Sequence, residues 1–102
     1  MVVVSDRRSL LDLCVERTGS QLRGARLAAF IVWWGQARRE LGPDMTIEEY
    51  AAWARESRPT AYRELALFRE AFAPLDTPHQ VLDHMDRQGL GELVDPAALS
   101  LA

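Results

Sequence analysis

The chain has 102 residues, 48% apolar and 26% charged, a balance that builds a core and excludes a disordered or low-complexity chain. A single cysteine, Cys14, excludes an intramolecular disulfide and a cysteine-rich zinc site, and the longest apolar run, 27–34, is too short to cross a bilayer. The net charge of −3 excludes strong non-specific binding to nucleic acid through overall charge.

That charge is unevenly spread. Residues 1–40 hold seven Arg against four acids, residues 41–70 four Arg against six, and residues 71–102 one Arg against five. Any contact with DNA must therefore be local and carried by the first two-thirds, with the acidic last third facing elsewhere. Every basic side chain is arginine, which suits phosphates and guanine edges, although a GC-rich coding sequence produces the same bias. At the start, MVVVSDRR places apolar residues before arginines, the reverse of a secretory leader. A cytoplasmic protein with no membrane partner is expected.

In chain order, Ser5 or Asp6 can cap a first helix that runs to about Arg17, with Leu10, Leu13 and Cys14 on one face. Thr18-Gly19-Ser20 stops it, and Ser20 can cap a second helix over Gln21 to about Leu41, ended by Gly42-Pro43. The middle of that helix, LAAFIVWW, is apolar all round, which predicts burial on several sides. Trp33 and Trp34 point in different directions, so at least one is expected to meet another helix or a partner, with a core place the default for both. Thr46 and Glu49 have capping-box spacing at the start of a third helix with Tyr50, Ala51 and Ala54 as a slim buried face. A fourth helix opens with Ser57 as cap and Pro59 in its first turn, buries Ala61, Leu65, Phe68 and Phe72, and ends near Ala73-Pro74. Thr77-Pro78-His79-Gln80 starts a fifth helix that buries Val81, Leu82 and Met85 and stops at Gly89. A last turn capped by Asp95 ahead of Pro96 is also expected, its apolar residues free to dock on a neighbour. The predicted fold is all-α: one compact domain, 1–102, of five or six helices with a long buried central helix.

The stretch TIEEYAAWARESRPTAYREL, residues 46–65, resembles the helix-turn-helix unit of bacterial transcription regulators. Thr46, Glu49, Ala51, Ser57, Arg58, Thr60, Tyr62 and Arg63 fall in register with it without a gap, over a fifth of the chain. The resemblance implies a DNA-binding regulator whose second helix, about 58–73, enters a groove of double-stranded DNA. The residues support that role independently. With Ala61, Leu65 and Phe68 turned inward, Arg63 points nearly opposite, Arg58, Tyr62 and Arg69 line one flank, and Thr60 lies toward the other. Arg58 or Arg63 would pair with a guanine edge, while Ser57, Thr60 and Tyr62 would hold phosphates. Two positions depart from the pattern: Arg55 stands at the corner usually held by Gly, where a left-handed backbone is costly, and Glu56 follows where an apolar residue is usual. Glu64 and Glu70 would also repel phosphates.

His79, Asp83, His84 and Asp86 have spacings that suggest a metal, but no third strong ligand shares the face of His79 and Asp83, so a solvated helix surface is expected. Cys14 is expected in the core. No nucleophile is flanked by a base and no Gly-rich phosphate loop occurs, so neither an enzyme nor a cofactor is expected. The competing reading is an acidic helical adaptor that binds a protein partner through the last third, using Leu82, Met85 and the ending LSLA. Small regulators often act as dimers on paired half-sites, so a homodimer is the expected assembly.

Overall fold

Short polar side chains decide where the helices begin. In the computed structural model, which describes residues 8–88, 93–94 and 96–99, Ser9 Oγ accepts from Asp12 N at 3.1 Å and Ser20 Oγ from Arg23 N at 3.2 Å. They start α1 (Leu10–Thr18) and α2 (Gln21–Leu41). Thr46 and Glu49 form the reciprocal capping box, at 3.2 and 3.0 Å, ahead of α3 (Ile47–Ala54). Ser57 Oγ accepts from Thr60 N at 3.3 Å and starts α4 (Arg58–Ala71), with Pro59 where its missing N–H costs nothing. Gln80 Oε1 accepts from Asp76 N and Thr77 N, at 2.8 and 3.1 Å, and tightens the entry to α5 (His79–Gln88). A last turn, α6 (Pro96–Leu99), follows; its expected cap Asp95 and the expected stop Gly89 lie outside the described residues.

The first helix starts later than its sequence predicts. Ser9, not Ser5 or Asp6, is the cap, and both of those residues lie outside the described ones. Arg8 and Ser9 instead run as a short strand, β1 (Arg8–Ser9), antiparallel to β2 (Leu93–Val94), with Arg8 opposite Val94. Two residues are too few for an alternating pattern, so nothing local announces this pairing.

The core lies between α2 and the helices around it. Helix α2 buries Gly24, Leu27, Phe30, Ile31, Trp34 and Ala37, one stripe at helical spacing. Burial is not complete all round, since Val32 and Trp33 are each 55% exposed. Trp33 leaves the core because its ring lies against Trp53 of α3, centroids 5.8 Å apart, while Trp34 packs on Phe30 and Tyr50. Helix α1 crosses α2 so closely at Gly24 that a Cβ there would come within 2.5 Å of Val15 Cα. Ala61, Leu65, Phe68 and Phe72 of the α4 seam are all buried, as their spacing predicts; each large side chain so buried contributes about 1.5–3 kcal/mol. Arg17 closes the far end, its guanidinium 5.2 Å from the Phe72 ring centroid and its Nη1 donating to Ala71 O at 3.4 Å.

Helix α5 covers another side of α2 with Val81, Met85 and a histidine, His84, that is only 5% exposed. Val94 and Leu99 are also in the core. The apolar residues assigned above to a partner-facing surface are thus largely used internally: Met85 is 7% exposed and Leu82 is half-buried. The architecture is an all-α single domain, and no helix among the described residues is long and apolar enough to cross a membrane.

Candidate nucleic-acid interface

The corner between α3 and α4 is closed by backbone hydrogen bonds. Glu56 N donates to Ala51 O at 2.9 Å and Arg55 N to Ala52 O at 3.3 Å, satisfying two carbonyls that the helix end would leave free. This pattern needs a left-handed residue, and Arg55 takes it at φ 58°, ψ 40°. Glycine would adopt that conformation without strain; arginine holds it at a cost of about 1–2 kcal/mol. Ser57 then returns to extended backbone and caps α4. Ala51 and Ala61, both buried, keep the two helices close.

Helix α4 exposes Arg58, Tyr62, Arg63 and Arg69. Arg58 and Arg69 are eleven residues apart, three turns or about 16 Å along one line of the helix, with Tyr62 between them. Arg63 and Thr60 lie round the other side, as their spacing predicts. The structure thus brings Arg58, Tyr62 and Arg69 onto one strip and leaves Arg63 beside it.

Most of these side chains already have an internal partner. Ser57 Oγ donates to Thr60 Oγ1 at 2.8 Å while it caps the helix. Arg63 folds back, its Nε donating to Pro59 O at 3.3 Å and its Nη2 to Thr60 Oγ1 at 3.4 Å. Arg69 Nε donates to Asp76 O at 3.0 Å. Tyr62 Oη donates to the Glu48 carboxylate across the corner. That bond holds Glu48 below the usual carboxylate range, with the Arg58 charge adding to it, and it pushes the Tyr62 phenol up. Among the described residues, none of Arg58, Arg63 and Arg69 is in an ion pair.

The acids that were expected to repel phosphates are not all at the surface. Glu56 and Glu64 are both partly buried, and Glu56 Oε2 and Glu64 Oε1 are hidden from solvent. The Glu64 carboxyl is pushed up to about 8, first by desolvation, then by its hydrogen bond with Glu56 and that neighbour's charge. It therefore keeps its proton at neutral pH. Burial and the two carboxyls push the Tyr50 phenol up as well. Only Glu70 remains exposed on the far half of α4. Sequence reasoning missed this carboxyl pair; the one signal was the charged residue at the apolar position after the corner.

Beside the pair, between α2 and the start of α4, lies a recess of about 570 Å³ whose walls include Phe30, Trp33 and Tyr50. Arg26 and Arg63 also line it, and both are exposed.

The remaining candidates resolve into structural roles. Cys14 is fully buried and its thiol is pushed up to about 12 by desolvation, which leaves it protonated. His79 bonds Thr77 Oγ1 through Nδ1 at 2.8 Å, and burial, then the Arg38 charge, lower its pKa against the opposing pull of Asp83. Arg38 pairs with Asp83 at 3.7 Å. Among the described residues no three His, Cys, Asp or Glu side chains converge on one point. Comparison with family models, curated proteins and solved structures found no match to the chain.

Proposed function

We propose that the chain is a small DNA-binding regulator of transcription in which α3 and α4 form a helix-turn-helix and α4 enters the groove. The observation that carries this reading is the exposed arginine set on α4. Arg58, Arg63 and Arg69 are exposed without an ion pair among the described residues, on the helix that follows the corner. Glu64 supports it by turning into the protein and holding a proton, so α4 carries less negative charge than its composition implies. In the first turn of α4, Ser57 Oγ takes Thr60 N and Pro59 has no N–H, which leaves Arg58 N for a phosphate. Ser57, Thr60 and Tyr62 would exchange their internal bonds for phosphate contacts, at small cost because Ser57 and Tyr62 are exposed.

Such a role belongs in the cytoplasm and favours a dimer on two half-sites. A test is a gel-shift on a fragmented genomic library at low and moderate salt, sequencing the retained duplexes. Recovery of a shared motif supports the reading; no retention at low salt overturns it.

The second reading, an adaptor that binds a protein, is favoured by Trp33, 55% exposed on a helix whose other aromatic residues are buried. Asp76, Asp83 and Asp86 add an exposed acidic surface. Co-purification from the native host of a stoichiometric protein that Trp33→Ala releases would favour this reading over DNA.

A further inference from the structure

We propose that the recess between α2 and the corner binds a small organic cation with a flat apolar body, seating the positive charge on the Glu56–Glu64 pair. The site does not rest on the DNA reading, although it shares Thr60 and Arg63 with the surface assigned there to DNA.

The volume of about 570 Å³ is that of a small-molecule site. Its walls are chemically suited to one class of guest. Trp33 presents open aromatic surface, whose ring face attracts cations, while the buried rings of Phe30 and Tyr50 line the recess from the core side. Trp33 is half exposed yet held in place by Trp53, so its indole is a fixed wall with open area. The carboxyl pair completes the arrangement. Glu56 Oε2 and Glu64 Oε1 are buried with no donor from any other residue. A neutral apolar guest would leave those oxygens unsolvated, and an anion would be repelled by them. A cation replaces the Glu64 proton with a charge of the same sign.

Arg26 and Arg63 line the same recess and oppose a bare cation. Both are exposed and therefore screened by solvent, and Arg63 is turned back onto Pro59 O and Thr60 Oγ1. They define the outer side of the site, where a guest that also carries an acid group would be held more firmly. The carboxyl oxygens lie deeper and in lower dielectric, where a charge interaction is stronger.

The test uses the full chain without DNA and three probes of nearly one shape: trimethylanilinium, 4-(trimethylammonio)benzoate and neutral N,N-dimethylaniline. Binding is followed by tryptophan fluorescence and by calorimetry in buffers of different ionisation enthalpy. The two ammonium probes are expected to saturate the site, with the carboxylated one tighter, and dimethylaniline to bind at least about tenfold more weakly. Near pH 7 each ammonium ion is expected to displace about one proton, because the groups facing the pair besides each other are Tyr50, which stays neutral, and the always-charged Arg26 and Arg63. Glu56→Gln with Glu64→Gln, and separately Trp33→Ala, should each weaken binding about tenfold, with circular dichroism confirming that the variants fold. Glu70→Gln, away from the recess, should leave binding unchanged and serves as the charge control. Three results would overturn the proposal: no saturable binding up to about 5 mM, equal binding of the neutral probe, or the same affinity after the double carboxyl substitution. A folding defect in that variant leaves proton release and the neutral-probe comparison, both made on the native chain, to decide.

Discussion

Replacing Glu64 with Gln isolates the proton that this carboxyl holds. In the folded protein the Glu64 carboxyl titrates near 8, against an ordinary value of 4.5. Its folded pKa lies above its unfolded one, so the folded state keeps a proton that the unfolded chain releases. The stability linked to that proton is complete below about pH 4.5 and is lost as pH rises through about 8. At 1.36 kcal/mol for each tenfold change, the unscreened limit is roughly 4–5 kcal/mol. Glu64 is only partly buried, and solvent screening brings the realistic loss to about 1–2 kcal/mol. Gln has the same shape, can donate the same hydrogen bond to Glu56, and does not titrate. Urea unfolding followed by circular dichroism should therefore give nearly equal stabilities for the two proteins near pH 5. Near pH 9 the variant should be more stable by about 1–2 kcal/mol, or about 5–10 °C in Tm for a domain of this size. Titrating groups away from the pair, such as His79, act equally on both proteins and cancel in the difference. Parallel stability curves from pH 5 to 9 would refute the proton held on Glu64 and the proton release expected at the cation site.

Two further substitutions test the packing and the corner. Gly24→Ala should cost more than about 2 kcal/mol, because the new Cβ meets the Val15 backbone at 2.5 Å. Gly35→Ala meets only the tip of Leu82, which can rotate away, and should be neutral or slightly stabilising through helix propensity; equal losses in thermal unfolding would show that the α1–α2 crossing is misplaced. Arg55→Gly should raise the unfolding free energy measured in urea by about 0.5 kcal/mol, as relief of the left-handed strain exceeds the entropy that glycine adds to the unfolded chain. A loss on that substitution would show that the corner does not hold Arg55 at positive φ.

What the sequence revealed was local. The caps at Ser20, Thr46 and Ser57, the stop at Gly42 and the α4 seam all depend on residues within four positions of one another, and each stands as its spacing predicts. The strain at Arg55 was legible for the same reason, since the corner has room for only one kind of backbone. What escaped depends on distant partners. LAAFIVWW looks the same whether or not a neighbour covers each side, and only the place of Trp53 on α3 decides that Trp33 stays half exposed. The β1–β2 pairing joins residues more than eighty positions apart. Glu56 and Glu64 are eight positions apart, two turns of a continuous helix, but the corner between them lets both turn toward α2. His84 sits beside the half-buried Leu82 and the exposed Asp83, so the burial of α5 could be read from Val81 and Met85 but not from the histidine. For the site, the order of Arg58, Tyr62 and Arg69 along α4 was readable, whereas the internal bonds that Ser57, Thr60, Tyr62 and Arg63 make were not.

The most direct test of the central claim is a fluorescence-anisotropy titration of the duplex most enriched from genomic fragments, comparing the native chain with Arg58→Ala, Arg63→Ala and the surface control Arg39→Ala. If α4 reads DNA, each α4 substitution should weaken binding by about 1–3 kcal/mol, and the one that touches a base should also relax the preferred sequence at one position. Arg39→Ala should change little. Equal binding by all four proteins, or no enriched duplex at low salt, would contradict a DNA-reading helix and leave the protein-binding surface around Trp33 as the function to pursue.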